Sequence, residues 1–157
     1  MLFLELLYKL TYDLNFDLKG ALMDLITWND EMSVNIEKMD KQHKILIENL
    51  NNLFNAMLEG KAQNIINKTV DELIDYADFH FNAEEEYFER HNYPDYHAHK
   101  IEHSFYKDEI LIFKKDLLDG KSTVPMDVFN FLKDWLNDHV LNSDKKYSKY
   151  LNSKGVL

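Results

Sequence analysis

From about Ile36 onward the apolar residues recur at alternating intervals of three and four positions. This spacing places them along one face of an α-helix, and it is found in four successive segments. The first face consists of Met39, His43, Leu46, Leu50, Leu53 and Met57, and the second of Ile66, Val70, Leu73, Ala77, His80, Glu84 and Tyr87. The third consists of Tyr96, His99, His103, Tyr106, Ile110, Phe113 and Leu117, and the fourth of Val128, Leu132, Trp135, His139 and Asn142.

Turn-forming residues separate the four segments. The first segment stops at Gly60, and the third stops at Gly120, because glycine is the residue that most often follows a helix C-terminus. The second should end shortly before Pro94, since the residue before a proline disfavours helical geometry. Pro125 suits the first turn of the fourth segment. Four amphipathic helices with short connections predict an all-α protein, an up-down-up-down four-helix bundle.

Residues 1–22 lie outside this pattern, and we predict an N-terminal arm of unknown role ahead of a bundle domain formed by residues 23–157. The arm could cover the bundle, bind a partner, or be an upstream extension that is not translated. It has no basic leader and carries Glu5 and Lys9 within its apolar run, which is not typical of a secretory signal. No stretch has the length of a membrane span. We therefore predict a cytoplasmic protein.

Composition narrows the function classes. A chain of 157 residues with 45% hydrophobic content suits one domain with one core. The net charge of −10 repels phosphate backbones, so we predict no nucleic-acid partner. The absence of cysteine excludes a disulfide scaffold, a thiolate zinc site and an iron–sulfur cluster. Seven histidines remain as candidates for chemistry.

Each of the four faces carries ionisable side chains at positions that its periodicity assigns to the core. A single buried histidine is usually a hydrogen-bonded core residue, because an unpaired buried imidazole is costly. Spacing of four residues places His80 beside Glu84 and His99 beside His103. Several such groups on converging helices can satisfy one another through a metal. The candidate ligands are His43, His80, Glu84, His99, His103 and His139.

Imidazole and carboxylate ligands without thiolate suit iron, manganese, zinc or copper. One ion has too few coordination positions for five imidazoles and the carboxylates, so the set predicts two ions bridged by carboxylates. His91 lies in the turn before Pro94, and His97 lies off the face that carries His99. We predict that His91 and His97 are surface residues.

Four motifs, in their order and spacing, resemble those of a known family. They are Asp40-Lys-Gln-His43, His80-Phe-Asn-Ala-Glu84, His99-Lys-Ile-Glu-His103, and the stretch from Trp135 to Asp144. Together they resemble the hemerythrins, and most closely the single-domain bacterial branch, the bacteriohemerythrins. The resemblance covers about residues 23–157.

The resemblance implies a non-haem di-iron centre whose two iron ions share an oxo or hydroxo bridge. Glu84 and Asp144 would bridge the ions. The other ligands implied are His99, His103 and His139 for one iron, and His43 and His80 for the other.

Asp144 is implied by the resemblance alone. It lies five positions after His139, which a regular helix rotates well off the same face. The fourth helix should therefore loosen or end around Asn142 and Ser143. Glu85 and Glu86 are competing carboxylates beside Glu84, but we predict that both lie on a solvated face.

For function, the resemblance implies reversible dioxygen binding in a dry apolar pocket, as an oxygen carrier, store or scavenger rather than an enzyme. Trp135, Leu136 and Val140 would shape this pocket, and Phe81 would be structural. One alternative is a di-iron enzyme with peroxidase or oxidase activity, although such centres typically use Glu-x-x-His motifs and the sequence contains none. The other is an oxygen or redox sensor that acts through a separate partner.

Overall fold

The computed structural model describes residues 25–157, and the arm predicted for residues 1–22 lies outside them. The described residues form four helical rods and no strand, which confirms the all-α four-helix bundle. A 3-10 turn, Asp30–Met32, precedes the first rod. The first three rods are α1 (Glu37–Leu58), α2 (Ala62–His91) and α3 (Tyr96–Leu118). The fourth rod consists of α4 (Val124–Trp135), a π-helix (Leu136–Ser143) and α5 (Asp144–Ser153).

The helices end at the turns predicted from the sequence. Gly60 and Gly120 have φ values of 69° and 76°, a left-handed conformation that glycine adopts without steric cost. Asn92 adopts the same region, with φ of 54°, just after α2. Pro125 lies in the first turn of α4, where its missing N–H is not needed. The short connections keep successive rods antiparallel.

Two apolar clusters fill the interior, and a polar layer separates them. On α1, His43 lies between Met39, which belongs to the smaller cluster, and Leu46, which belongs to the larger one. Along α2 and the fourth rod the polar residues again lie between the two clusters, with the larger cluster first, because both rods run antiparallel to α1. The helical faces therefore bury a polar layer that lies within the core rather than at one end of the bundle.

One position of the predicted faces is wrong. Asn142, assigned to the core by a regular helical period, is exposed, because the π-helix changes the rotation of the fourth rod at that point.

Among residues 25–157, no helix combines the length and apolar character that crossing a bilayer requires.

Candidate metal centre

Seven ionisable side chains meet in the polar layer, and each is no more than 3% exposed. They form two groups, and within each group the ligand atoms lie within 4.8 Å of one another. The first group is Glu84, His99, His103 and His139, and the second is His43, His80, Glu84 and Asp144. The structure thus brings together every residue of the predicted set.

Glu84 faces both groups. Its Oε2 lies 3.0 Å from His103 Nε2 and 3.5 Å from His99 Nε2. Its Oε1 lies 3.5 Å from His80 Nε2 and 4.0 Å from His43 Nε2. One carboxylate oxygen therefore points to each group.

Asp144 repeats this arrangement from the fourth rod. Its Oδ1 lies 3.1 Å from His139 Nε2 and 3.4 Å from His99 Nε2. Its Oδ2 lies 3.2 Å from His43 Nε2. Two carboxylates that each divide their oxygens between the same two groups have the orientation needed to bridge a pair of cations.

Many of the atoms that face one another make no hydrogen bond within the described part of the chain. Buried polar atoms are normally paired, because leaving one unpaired costs free energy. Ligand atoms that bind one ion at about 2.1 Å lie about 3 Å apart when their bonds are at right angles. The unpaired atoms, with separations close to this value, fit a buried metal centre. They are the Nε2 atoms of His43, His99, His103 and His139, Glu84 Oε2, and both carboxylate oxygens of Asp144.

Three of the imidazoles donate a hydrogen bond from Nδ1, the ring nitrogen that faces away from the two carboxylates. His80 Nδ1 donates to Gln42 Oε1 at 2.8 Å, and His139 Nδ1 donates to Glu102 Oε2 at 2.5 Å. Such a bond leaves the lone pair on Nε2 and turns it toward the centre. Sequence reasoning missed Gln42 and Glu102, because each bonds a histidine of a different helix and neither lies on a helical face assigned to the core.

Glu85 is the third of these acceptors. Its carboxylate accepts from His103 Nδ1 at 3.2 Å and also pairs with Lys100. The predicted solvated face is therefore wrong for Glu85, because α3 packs over its side chain and leaves it only 15% exposed. Glu86 is exposed as predicted and pairs with Arg90.

The π-helix places Asp144 in the site. In a regular α-helix five residues would rotate it about 140° away from His139. Here the backbone N–H of Asp144 donates to the carbonyl of His139, which is the five-residue hydrogen bond of a π-helix. The wider turn brings both side chains to the same face, which confirms the predicted loosening. Asn142 faces outward, and its side chain donates to the Asn137 carbonyl at 2.7 Å.

Burial and nearby charges shift the pKa values of ionisable groups in the layer. Burial lowers the pKa of His80 to about 3 and that of His139 to about 4, so both imidazoles stay neutral at neutral pH with a lone pair available. Burial raises the pKa of Glu84, but the surrounding imidazoles together lower it by more and hold it well below its usual range. Burial and the charge of Glu84 raise the pKa of Asp144 well above its usual range. A bound cation would favour the charged form of both carboxylates.

Apolar and aromatic side chains surround the layer. Trp135 stacks on His139 with ring centroids 4.0 Å apart, and Phe81 stacks on His103 at 3.9 Å. Leu136 and Val140 are buried in the larger cluster. The structure therefore places Trp135 against one of the imidazoles, and Leu136 and Val140 in the apolar cluster that adjoins the layer. Their role toward oxygen stays a prediction.

The two remaining histidines take no part in the centre. His97 is exposed, in agreement with the prediction. His91 is only half-buried, and its ring stacks on Tyr87 with centroids 6.4 Å apart.

Comparison with known proteins gives a consistent result. The hemerythrin HHE cation binding domain matches residues 34–151. The bacteriohemerythrin of Methylococcus capsulatus is 33% identical over 132 residues, which cover 83% of this chain and all of that protein. That of Clostridium acetobutylicum is 30% identical, with 78% and 98% of the two chains covered. A crystal structure of wild-type hemerythrin superimposes with a TM-score of 0.71 at 33% identity, and the match covers 80% of this chain and 96% of that one.

Proposed function

The chain belongs to the hemerythrin family, and from this premise we propose that its buried centre holds two iron ions and binds dioxygen reversibly, as a carrier, store or scavenger. The observation that carries the proposal is the orientation of Glu84 and Asp144. Each turns one oxygen toward each group of imidazoles. The bridging oxo or hydroxo group belongs to the same proposal.

The two groups contain different numbers of imidazoles, three in one and two in the other. This difference supports binding of a small ligand. Bound ferrous ions would supply the electrons and the open coordination position that dioxygen requires. One ion would have three imidazoles and the other two, so the open position would lie on the side of the second ion. The side chains proposed to hold them are His99, His103 and His139 for one, His43 and His80 for the other, and Glu84 and Asp144 for both.

The residues around the centre would keep the ligands in place and water out. Gln42 and Glu102 hold the rings of His80 and His139 from behind. Tyr147 donates to Glu84 Oε1 at 2.5 Å, which orients the bridging carboxylate. Trp135 and the buried aliphatic residues that follow it exclude bulk water, which would otherwise promote irreversible oxidation of the iron.

The ligand set also supports binding rather than oxygen activation by an enzyme. Di-iron centres with Glu-x-x-His motifs contain more carboxylates and fewer imidazoles. Here the proposed set has five imidazoles and two carboxylates.

The optical spectrum through one cycle of oxygenation tests the proposal. We expect the protein loaded with ferrous iron under argon to develop a visible charge-transfer absorption in air, to lose it under argon, and to regain it with oxygen. Metal-free protein serves as the control. Irreversible bleaching at the first exposure, with steady product formation from a co-substrate, would contradict oxygen carriage and support the enzyme alternative.

A further inference from the structure

Two buried tyrosines next to the proposed centre have hydroxyl groups without a hydrogen-bond partner. Tyr76 lies one helical turn before His80 on α2, and Tyr106 lies three residues after His103 on α3. The side chains are 5% and 0% exposed. Neither phenol oxygen makes a hydrogen bond to any residue among 25–157.

Both phenol rings belong to the larger apolar cluster, where it meets the imidazoles. The Tyr76 ring stacks on His80 with centroids 5.0 Å apart and 24° between planes. The Tyr106 ring lies 6.3 Å from that of Tyr76 and 4.8 Å from that of Trp135. Trp135 stacks on His139 and is one of the residues predicted to shape the oxygen pocket, so the two tyrosines lie on the side of the cluster that faces the proposed pocket.

The hydroxyl groups are costly at these positions unless something accepts from them. A phenylalanine would fill nearly the same space without burying a polar atom. A phenol carries its proton at neutral pH because its ordinary pKa is about 10. Both tyrosines are therefore hydrogen-bond donors.

We propose that Tyr76 and Tyr106 are positioning residues that donate hydrogen bonds to a small acceptor ligand beside His80, either dioxygen or a triatomic anion. This inference rests on the proposed function and deepens it. The pocket would exclude bulk water, but it would offer two donors to the ligand rather than a wholly apolar surface.

The stability of the metal-free protein tests the first part of this inference. Tyr147 is the matched control, because it is also a buried tyrosine but donates to Glu84. We expect Tyr76→Phe and Tyr106→Phe to unfold at the same or a higher urea concentration than the wild type, and Tyr147→Phe to unfold at a lower one. A loss of stability in the first two variants as large as that of Tyr147→Phe would show that their hydroxyls already have protein acceptors, which would overturn the inference.

Ligand affinity tests the second part. With azide as the probe, optical titration of the oxidised, iron-loaded protein should give a dissociation constant about three- to tenfold higher in Tyr76→Phe and Tyr106→Phe, the loss that removing one neutral hydrogen bond produces. The oxygen dissociation rate should rise by a similar factor, while iron content and the spectrum without ligand stay unchanged. Unchanged azide affinity and oxygen dissociation in both variants would overturn the inference.

The failures of the two proposals can be distinguished. If wild-type protein does not cycle with oxygen but the variants still bind azide more weakly, the proposed function is wrong and the positioning role stands. If wild-type protein cycles normally and neither variant differs from it, only the positioning role is wrong.

Discussion

Three imidazoles of the candidate centre, those of His80, His103 and His139, are constrained from two sides. Their Nε2 atoms face Glu84 and Asp144, while the Nδ1 atoms of His80 and His103 donate to Gln42 and Glu85 on neighbouring helices. Each such bond selects one tautomer and limits rotation of the ring. A substitution of His80 therefore also removes the donor to Gln42 Oε1, whereas Glu85 keeps its pair with Lys100 when His103 is replaced.

His103→Ala tests the ligand role at this scale. We expect iron content to fall from about two ions per chain to one or fewer, because the variant lacks one ligand and the ions tie the helices together. The melting temperature of the iron-loaded protein should fall as well. Metal analysis and a thermal scan measure both quantities.

His97→Ala is the matched control for that variant, since His97 is an exposed histidine of the same helix. It should keep the iron content and melting temperature of the wild type. Full iron content and unchanged stability in His103→Ala would refute the assignment of His103 as a ligand.

At the scale of secondary-structure elements, the fourth rod differs from the other three. Its middle section, Leu136–Ser143, is a π-helix between two α-helices. π-Helical turns are rare and occur frequently at functional sites. The wide turn allows His139 and Asp144 to share one face.

Deletion of Asn142 should remove the wide turn, since the rod could then continue as a regular α-helix. We expect helix content by circular dichroism and iron content both to stay near those of the wild type, because the deletion leaves His139 and Asp144 four residues apart, a spacing that a regular α-helix keeps on one face. Asn142→Ala is the control. It loses the bond to the Asn137 carbonyl but keeps the chain length, so it should bind iron as the wild type does. Loss of iron from the deletion variant, with wild-type iron content in Asn142→Ala, would contradict this prediction and show that the centre needs the wide turn itself.

At the scale of the whole molecule, a polar layer interrupts the core. The layer holds five imidazoles and two carboxylates, all buried, between two apolar clusters. Burying ionisable groups is costly unless they are paired or bind a metal. The metal-free fold should therefore be sensitive to the protonation of this layer.

The metal-free protein should lose stability as the pH falls from about 6.5 to about 4. The pKa values of His80 and His139 are about 3 and about 4 in the folded state, against about 6.5 in an unfolded chain. In that window the unfolded chain binds more protons than the folded one, so the free energy of unfolding decreases with falling pH. Asp144, with its raised pKa, opposes this trend, but it offsets only one of the two protons.

Urea unfolding of metal-free protein at pH 7, 6 and 5 measures this dependence. His139→Gln should weaken it, because one of the histidines whose pKa burial lowers is then missing, and His97→Ala should leave it unchanged. A urea midpoint that is constant or rises between pH 7 and 5 would contradict the prediction.

The sequence alone determined which residues face the core of each helix. His43, His80, Glu84, His99, His103 and His139 recur with the same period as the apolar residues around them, and that period is a local property of one helix. The helix ends at Gly60 and Gly120 are equally local. Asp144 needed the family resemblance, because its five-residue spacing from His139 departs from the helical period.

Only the tertiary structure decided which polar groups meet between helices. The acceptor role of Glu85, the bond from His80 to Gln42, and the unpaired hydroxyls of Tyr76 and Tyr106 all depend on how far each helix is rotated and shifted against its neighbours. The hydrophobic period specifies a face about 100° wide. A hydrogen bond requires atoms placed to within a few tenths of an ångström, and only the packing of the assembled bundle sets positions at that precision.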